Sequence, residues 1–317
     1  YPTQIILITK RCLWCKTVEF FLNKKASGLD ECLKEIKAEI SLLSGYVYRL
    51  IKDAEKDIDI LKSKIGALIQ QLVYQRDVTK LLIKQKVSST DDHTWTSKMR
   101  TYYMTDDNML DQHNIFKKLF IRCNGKVYYY GYEFYGDIAS FIYSRTINTD
   151  NLFPQLLKTT IDSNNISNVY GDINTGTTES LKVFAYDLGR PCKVFNEVNA
   201  NSDVTHMNDS DRLFNWFAGI SSIGGFGMLS EKEIKQFGGQ ISYYATSINY
   251  HLNENKNHMI INDKRIALHN NTRIFLVTNK KYVNNDSNDI MSKIVKTIAM
   301  SSSNNVSIAT TLLSTNG

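Results

Sequence analysis

Gly171-Asp172-Ile173-Asn174-Thr175-Gly176-Thr177-Thr178 runs directly into Glu179 to Leu188, a stretch that can continue as a helix. Two glycines five apart with a hydroxyl residue in the eighth position match the spacing of a phosphate-binding loop, G-x-x-x-x-G-K-[ST] before a helix. In such a loop the glycines let backbone N–H groups turn toward phosphate. The lysine carries charge to the outer phosphates, and the last hydroxyl holds Mg²⁺. Gly171, Gly176 and Thr178 stand at the template positions, Asn174 lies inside the loop, and Thr177 takes the place of the lysine. Alone, the octet reads more simply as a polar loop with two turn glycines. Its surroundings decide.

Outward from the loop, short apolar runs alternate with helical stretches. Lys193-Val194-Phe195-Asn196, Trp216-Phe217-Ala218-Gly219-Ile220 and Arg273 to Thr278 read as strands, and residues 179–188 and 230–249 as helices. Continuous apolar strands alternating with helices imply a parallel sheet covered by helices, an α/β fold. Two hairpins are expected. One has Asn124-Gly125 between Leu119–Cys123 and Lys126–Tyr130, because both turn residues tolerate positive φ. The other has Asn262-Asp263-Lys264 between Met259–Ile261 and Arg265–Leu268. Residues 1 to about 86 read as amphipathic helices. Leu33, Ile36, Ile40, Leu43, Val47 and Leu50 recur at spacings of three and four, as do Ile58, Leu61, Ile65, Leu68 and Leu72. Their polar faces mix both signs of charge, which favours packing on other helices over lying on a membrane. Ser88 to Asp92 is a polar break and the expected boundary.

Composition narrows the function classes. The 317 residues are 42% hydrophobic, enough for one large domain or two smaller ones. The net charge of +6 is spread along the chain, so it reads as solvated surface rather than a nucleic-acid track. The tyrosines of residues 128–135 have only Arg122 and Lys126 beside them, which favours hairpin packing over base stacking. Five cysteines at irregular spacing make no disulfide framework, and Cys12-Leu13-Trp14-Cys15 lacks the further ligands of a zinc site. No apolar run approaches 18 residues, so no membrane span is expected. The first residue is Tyr1 rather than Met, which reads as a portion of a longer protein.

Several stretches, taken in order, resemble one family. Tyr130-Gly131-Tyr132-Glu133-Phe134-Tyr135-Gly136 resembles the Tyr-Gly-Tyr-Glu-Tyr-x-Gly hairpin that opens the first AAA+ module of dynein heavy chains. Trp95 to Tyr103 is similar to the Trp-x-x-x-x-Arg-x-Tyr stretch before it, and Thr146-Ile147-Asn148-Thr149-Asp150 to Thr-Pro-Leu-Thr-Asp. Gly171 to Glu179 falls at Gly-Pro-Ala-Gly-Thr-Gly-Lys-Thr-Glu. Val194-Phe195-Asn196 matches a Val-Phe-Asn strand, Ile274 to Asn279 resembles the strand ending on the sensor Asn, and Ile294 to Met300 resembles Leu-Phe-Arg-Pro-Val-Ala-Met with Lys296 for Arg. The helices from Tyr1-Pro2-Thr3-Gln4 onward are similar to the end of the dynein linker. The resemblance implies an AAA+ P-loop NTPase-like large subdomain over 91–300, a helical linker segment over 1–90, and the start of the small helical subdomain over 301–317. Within dyneins it is closest to the intraflagellar-transport type.

The departures from the family bear on chemistry. Hydrolysis there needs a Walker-B Asp-Glu at the end of a buried strand, the Asp for the Mg²⁺ shell and the Glu for the attacking water. The matching strand is Trp216–Ser222, where Ala218 and Gly219 occupy both acidic positions, and Ser221 and Ser222 stand for Asn and Arg. The chain between Asn196 and this strand is then a few residues shorter than the family's. On this reading three charged groups are missing, and no ATPase activity and no resident cofactor are expected. ATP or ADP with Mg²⁺ is the ligand that the loop N–H groups, Thr178 and the sensor-like Asn279 are suited to, while Asp172 opposes it. The implied role is structural, a docking module in a ciliary or axonemal, cytoskeletal assembly. Its partners would be other heavy-chain modules and dynein-complex proteins, with the microtubule touched only indirectly. The alternatives are a regulatory nucleotide-binding module of a working motor, and a helical interaction protein unrelated to dynein.

Overall fold

The computed structural model describes residues 2–24, 28–52, 58–104, 118–135, 152–162, 166–172, 175–195, 208–279 and 296–300. Asn174, Thr146–Asp150, Asn196 and the 301–317 segment lie outside them. The chain forms two compact units, the first reaching Pro154 and the second beginning at Gln155. The division therefore falls well beyond the polar break at Ser88–Asp92.

The first unit opens with three long helices, α1 (Thr3–Lys24), α2 (Gly28–Lys52) and α3 (Ile58–Lys84), and a short α4 (His93–Thr96). An antiparallel sheet of β1 (Arg100–Tyr103), β2 (Leu119–Cys123) and β3 (Lys126–Tyr129) follows. The β2–β3 turn is Asn124 and Gly125, both at positive φ as expected. One core explains the shifted boundary. Trp14, Val18, Leu29 and Leu72 of the helices share it with Trp95, Tyr102 and Phe120. Glu19 of α1 fixes the join, accepting from Trp95 Nε1 at 3.2 Å, from the Tyr102 hydroxyl, and from Arg100 Nη1 at 3.3 Å. Gln4 does the same for the segment after β3. Its Nε2 donates to Tyr130 Oη (2.7 Å) and Glu133 O (2.8 Å), and its Oε1 accepts from Tyr135 N (2.8 Å). Both side chains tie residues far apart in sequence, which no periodicity discloses.

Helix α5 (Leu152–Asp162) spans the division. The second unit then alternates β4 (Ile166–Tyr170), α6 (Thr177–Asp187), β5 (Cys192–Val194), α7 (Asp209–Ile223), β6 (Phe226–Ser230) and α8 (Glu231–Asn253). A hairpin of β7 (His258–Ile261) and β8 (Lys264–Ala267) follows, turning on Asn262 and Asp263, both at positive φ. Strands β9 (Arg273–Thr278) and β10 (Lys296–Ala299) complete a five-stranded sheet of order β10-β4-β9-β6-β5. Every neighbouring pair in it is parallel. This is the α/β architecture expected, a parallel sheet flanked by helices.

One strand expectation fails. Trp216–Ile220 lies in α7, and the strand is β6, which starts six residues after Ile220. Local chemistry makes α7 a helix. Asn208 caps it, its Oδ1 accepting from Asp211 N at 2.8 Å, and Asp209 and Asp211 suit the positive end of the helix dipole. Leu213, Phe214, Phe217 and Ile220 are buried at spacings of one, three and three, the inward face of a helix. Gly224, at φ 65°, ends it. Ala218 and Gly219 are thus mid-helix residues.

Candidate functional site

The strand order brings the C-terminal ends of β4, β9 and β6 side by side, since β9 pairs with both of the others. Tyr170 pairs with Thr278 and Ser230 with Val277, so β4 and β6 end at nearly one level. Ligands of open α/β sheets bind beyond these carboxyl ends.

The loop leaves β4 through a tight joint. Gly171 N donates to Thr278 O at 3.2 Å, and Met300 N to Tyr170 O at 2.7 Å. A Cβ on Gly171 would stand 2.6 Å from Thr175 Oγ1, 3.0 Å from Thr177 Oγ1 and 3.2 Å from Met300 O, so a larger residue would have to push these atoms aside. Thr175 N donates to Asp172 O at 3.1 Å, closing a turn. Gly176 takes φ 73° as the N-cap of α6, and Ser180 N reaches its carbonyl at 2.8 Å. At its described ends the loop leaves β4 at Gly171 and enters α6 at Gly176. Thr177 is buried, and its hydroxyl lies 3.0 Å from that of Thr175. Where a lysine would reach out with a charge, this residue turns into its own loop. Thr178 is half-buried in the first turn of α6.

Across the sheet, β6 runs straight into α8. Ser230 is the last strand residue and the N-cap, with Glu231 first in the helix. Ser230 N donates to Glu233 Oε2 at 2.8 Å, and the Ser230 hydroxyl also contacts that oxygen. This is a capping box, and Glu233 is buried. Glu231 Oε1 pairs with Lys235 Nζ at 2.7 Å, and its Oε2 lies 3.5 Å from the backbone N of Asn279, just past β9. Beneath them Thr278 Oγ1 donates to Asn168 Oδ1 at 3.0 Å.

The structure thus gathers Gly171, Gly176, Thr177, Thr178 and Asn279 at one end of the sheet. It does not bring Ala218 and Gly219 there. The residues at the strand end are Ser230 and Glu231, which sequence reasoning missed. The signal that could have found them is Ser230-x-x-Glu233 before an amphipathic run, a capping box that places the strand's end. The correction changes the chemistry, because a carboxylate, Glu231, remains at the strand end and one acidic position, Ser230, is neutral.

Hard oxygen donors are what Mg²⁺ takes, one or two carboxylates with phosphate oxygens supplying the rest. Thr178, Ser230 and Glu231 fit that chemistry, and the N-terminal end of α6 fits phosphate. The depressed pKa values of this unit lie at the other end of the sheet. Burial and the Arg190 guanidinium lower Arg273, at the start of β9, to about 10. Burial lowers Arg190 as well, and the Asn271 amide oxygen can accept from it at 2.9 Å. Neither cation is at the loop.

Comparison with known proteins agrees with this geometry. A family model described as the hydrolytic ATP binding site of the dynein motor region matches residues 130–317. A dynein heavy chain-like protein 1 of Plasmodium falciparum is 29% identical over 89% of this chain, which covers 5% of that protein. The cytoplasmic dynein heavy chain of Dictyostelium discoideum is 28% identical over 100% of the chain and 6% of its own length. That of Drosophila melanogaster is 24% identical over 100% and 7%. The chain spans a small fraction of the length of the curated relatives it matches. Among the described residues no helix is long and apolar enough to cross a membrane.

Proposed function

The chain belongs to the dynein heavy chain family, and from that premise we propose that it is an AAA+ module of a dynein-type protein in which ATP turnover has been lost. The observation that carries this is Thr177, whose hydroxyl is held within the loop at 3.0 Å from Thr175, where the family places a lysine. Phosphoryl transfer depends on positioned charge around the phosphates. With Thr177 and Ser230 both neutral, two of those charges are gone, and Glu231 alone cannot replace them. The module then acts as a fixed part of a ring, a docking surface for neighbouring heavy-chain modules and dynein-complex proteins. Its setting is cytoskeletal, in a cilium or axoneme, and the microtubule is touched by other parts of the heavy chain. Residues 301–317 would begin the small helical subdomain.

A second reading has its own support. Glu231 beside Asn279 keeps the water-orienting carboxylate and the sensor residue next to one another. That favours a site that holds nucleotide as a regulatory signal while other modules hydrolyse it.

One experiment separates them: steady-state ATPase assay of the folded chain beside equilibrium binding of a fluorescent ATP analogue with Mg²⁺, competed by ADP. No turnover is expected. Competable micromolar binding without turnover moves the function to the regulatory reading. Turnover at rates usual for such enzymes, on the order of 1 s⁻¹ or above, overturns both.

A further inference from the structure

Among the described residues, Glu233 is a carboxylate near the strand end that the site has not yet used. It is 6% exposed, an unusual place for an acid, and it is held against Ser230 at both the backbone N–H and the hydroxyl. Glutamate at this position of a helix is familiar as half of a capping box. Here the other half is Ser230, the residue standing where the family places its metal-associated Asp. The carboxylate oxygen therefore lies within one hydrogen bond of where an Asp side chain on the same backbone would put its own.

The chemistry of that pair differs from a cap alone. When the Ser230 hydroxyl donates to Glu233 Oε2, its oxygen accepts from the Glu233 backbone N–H in the capping box and keeps one further lone pair. A hydroxyl that donates to a carboxylate is a stronger acceptor than a free one, because such bonds polarise one another. Ser230 and Glu233 together thus present what an Asp presents: a negatively polarised oxygen at the end of β6, fixed to a rigid strand.

We propose that Ser230 and Glu233 together replace the missing acidic residue of this site, Glu233 supplying the charge and Ser230 Oγ turning it toward the divalent cation that accompanies a nucleotide. This rests on the placement of the site at the ends of β4, β6 and β9, and it is independent of turnover. Glu233 is a positioning residue, acting through Ser230. Thr177 brings no charge to the loop, so the cation is the main positive charge available to the phosphates, and nucleotide affinity should depend strongly on it.

The test uses Mn²⁺ as the probe, read by electron paramagnetic resonance, together with affinity for a fluorescent ATP analogue in Mn²⁺ and in EDTA. The natural chain should bind the analogue at least about tenfold more tightly with Mn²⁺, the size of one charged hydrogen bond. Glu233→Gln should remove that dependence while keeping the fold, since Gln also serves in a capping box. Thermal melting checks that it does. Ser230→Asp added to Glu233→Gln should restore the dependence, which a merely structural cap would not do. Unchanged cation dependence in Glu233→Gln overturns the proposal, as does failure of Ser230→Asp to rescue, or the absence of any Mn²⁺-dependent binding in the natural chain. The last outcome leaves the loss of turnover standing. Turnover with an intact Glu233 effect would instead overturn only the loss of turnover.

Discussion

The two halves of the candidate site have diverged. On the loop side, Gly171 leaves β4 through a tight joint, Gly176 opens α6 at positive φ, and Thr177, neutral where the family has a lysine, lies against Thr175. On the β6 side a carboxylate persists, with Glu231 beside Asn279 and Glu233 behind Ser230. The fold demands the first set of features whatever the site does. Gly171 sits against Met300 O and its own threonines, so its replacement would disturb the sheet end even in a site that never meets phosphate. Glu231 is half-buried, opens α8 where an acid suits the helix dipole, and touches both Lys235 and Asn279 N. Packing thus accounts for the glycine at the end of β4, while the acid at the end of β6 is favoured by the helix start and its local partners as well as by any chemistry of the site.

The largest expected effect comes from restoring the charges. Thr177→Lys with Ser230→Asp should raise ATP turnover by about 10²-fold or more over the natural chain, the scale on which single charged donors act in such sites. A full response to Thr177→Lys alone would mean that only the loop half is defective. No response in the double variant, with nucleotide bound, would mean that Glu231 is not placed for catalysis, and the contrast between the halves would fail. Next in size is the register of the strand end. In the restored variant, Glu231→Gln should cost about 10²-fold in turnover. Gly219→Glu in place of Glu231 should recover none of it, because residue 219 lies mid-helix in α7. Recovery would return the acidic positions to α7.

These two tests mark what was legible in the sequence. The loop was legible because its residues are contiguous and its glycines obey one spacing. The parallel sheet was legible from β9 and from Val194-Phe195, at and just past the end of β5, both apolar. The β6 half was not. A five-residue apolar run such as Trp216–Ile220 suits a buried strand or one face of a helix equally, and periodicity alone cannot decide between them. The true strand, Phe226-Gly227-Met228-Leu229-Ser230, follows Gly224-Gly225 and carries a further glycine, so it resembled a turn. Gly227 is there for packing: a Cβ would meet Trp216 Cη2 at 2.7 Å and Ile220 Cδ1 at 2.8 Å. The residues mistaken for the strand are those that press α7 onto it. The boundary near Pro154 was equally hidden, because Glu19 and Gln4 reach across more than seventy residues to make their bonds.

That contact gives the third prediction. Gly227→Ala should destabilise the second unit by about 1–3 kcal/mol through overpacking against an aromatic ring that has little room to give. Differential scanning calorimetry should show a lower melting temperature for that unit, and Trp216→Leu should relieve part of the loss. A neutral Gly227→Ala would mean that α7 can slide on β6, and then the level of Ser230 and Glu231 relative to the loop would not be fixed by packing.

The smallest effect belongs to α8, the helix that carries Glu231, Glu233 and Lys235. Its backbone breaks at Phe237, with φ −122° and ψ 18°, and Gly238 and Gly239 follow. A Cβ at either glycine meets nothing within 4 Å, so packing does not require them. Alanine is worth up to about 1 kcal/mol over glycine within a helix. If the break is held by Phe237 alone, whose ring packs edge-on to Phe195 at 6.1 Å, Gly238→Ala and Gly239→Ala should each raise stability by about 0.5–1 kcal/mol. A loss instead would show that the glycines themselves permit the break. The half of the site that kept its acids would then stand on a helix divided by its own sequence seven residues from Ser230, and straightening α8 would be expected to move Glu231 away from Asn279.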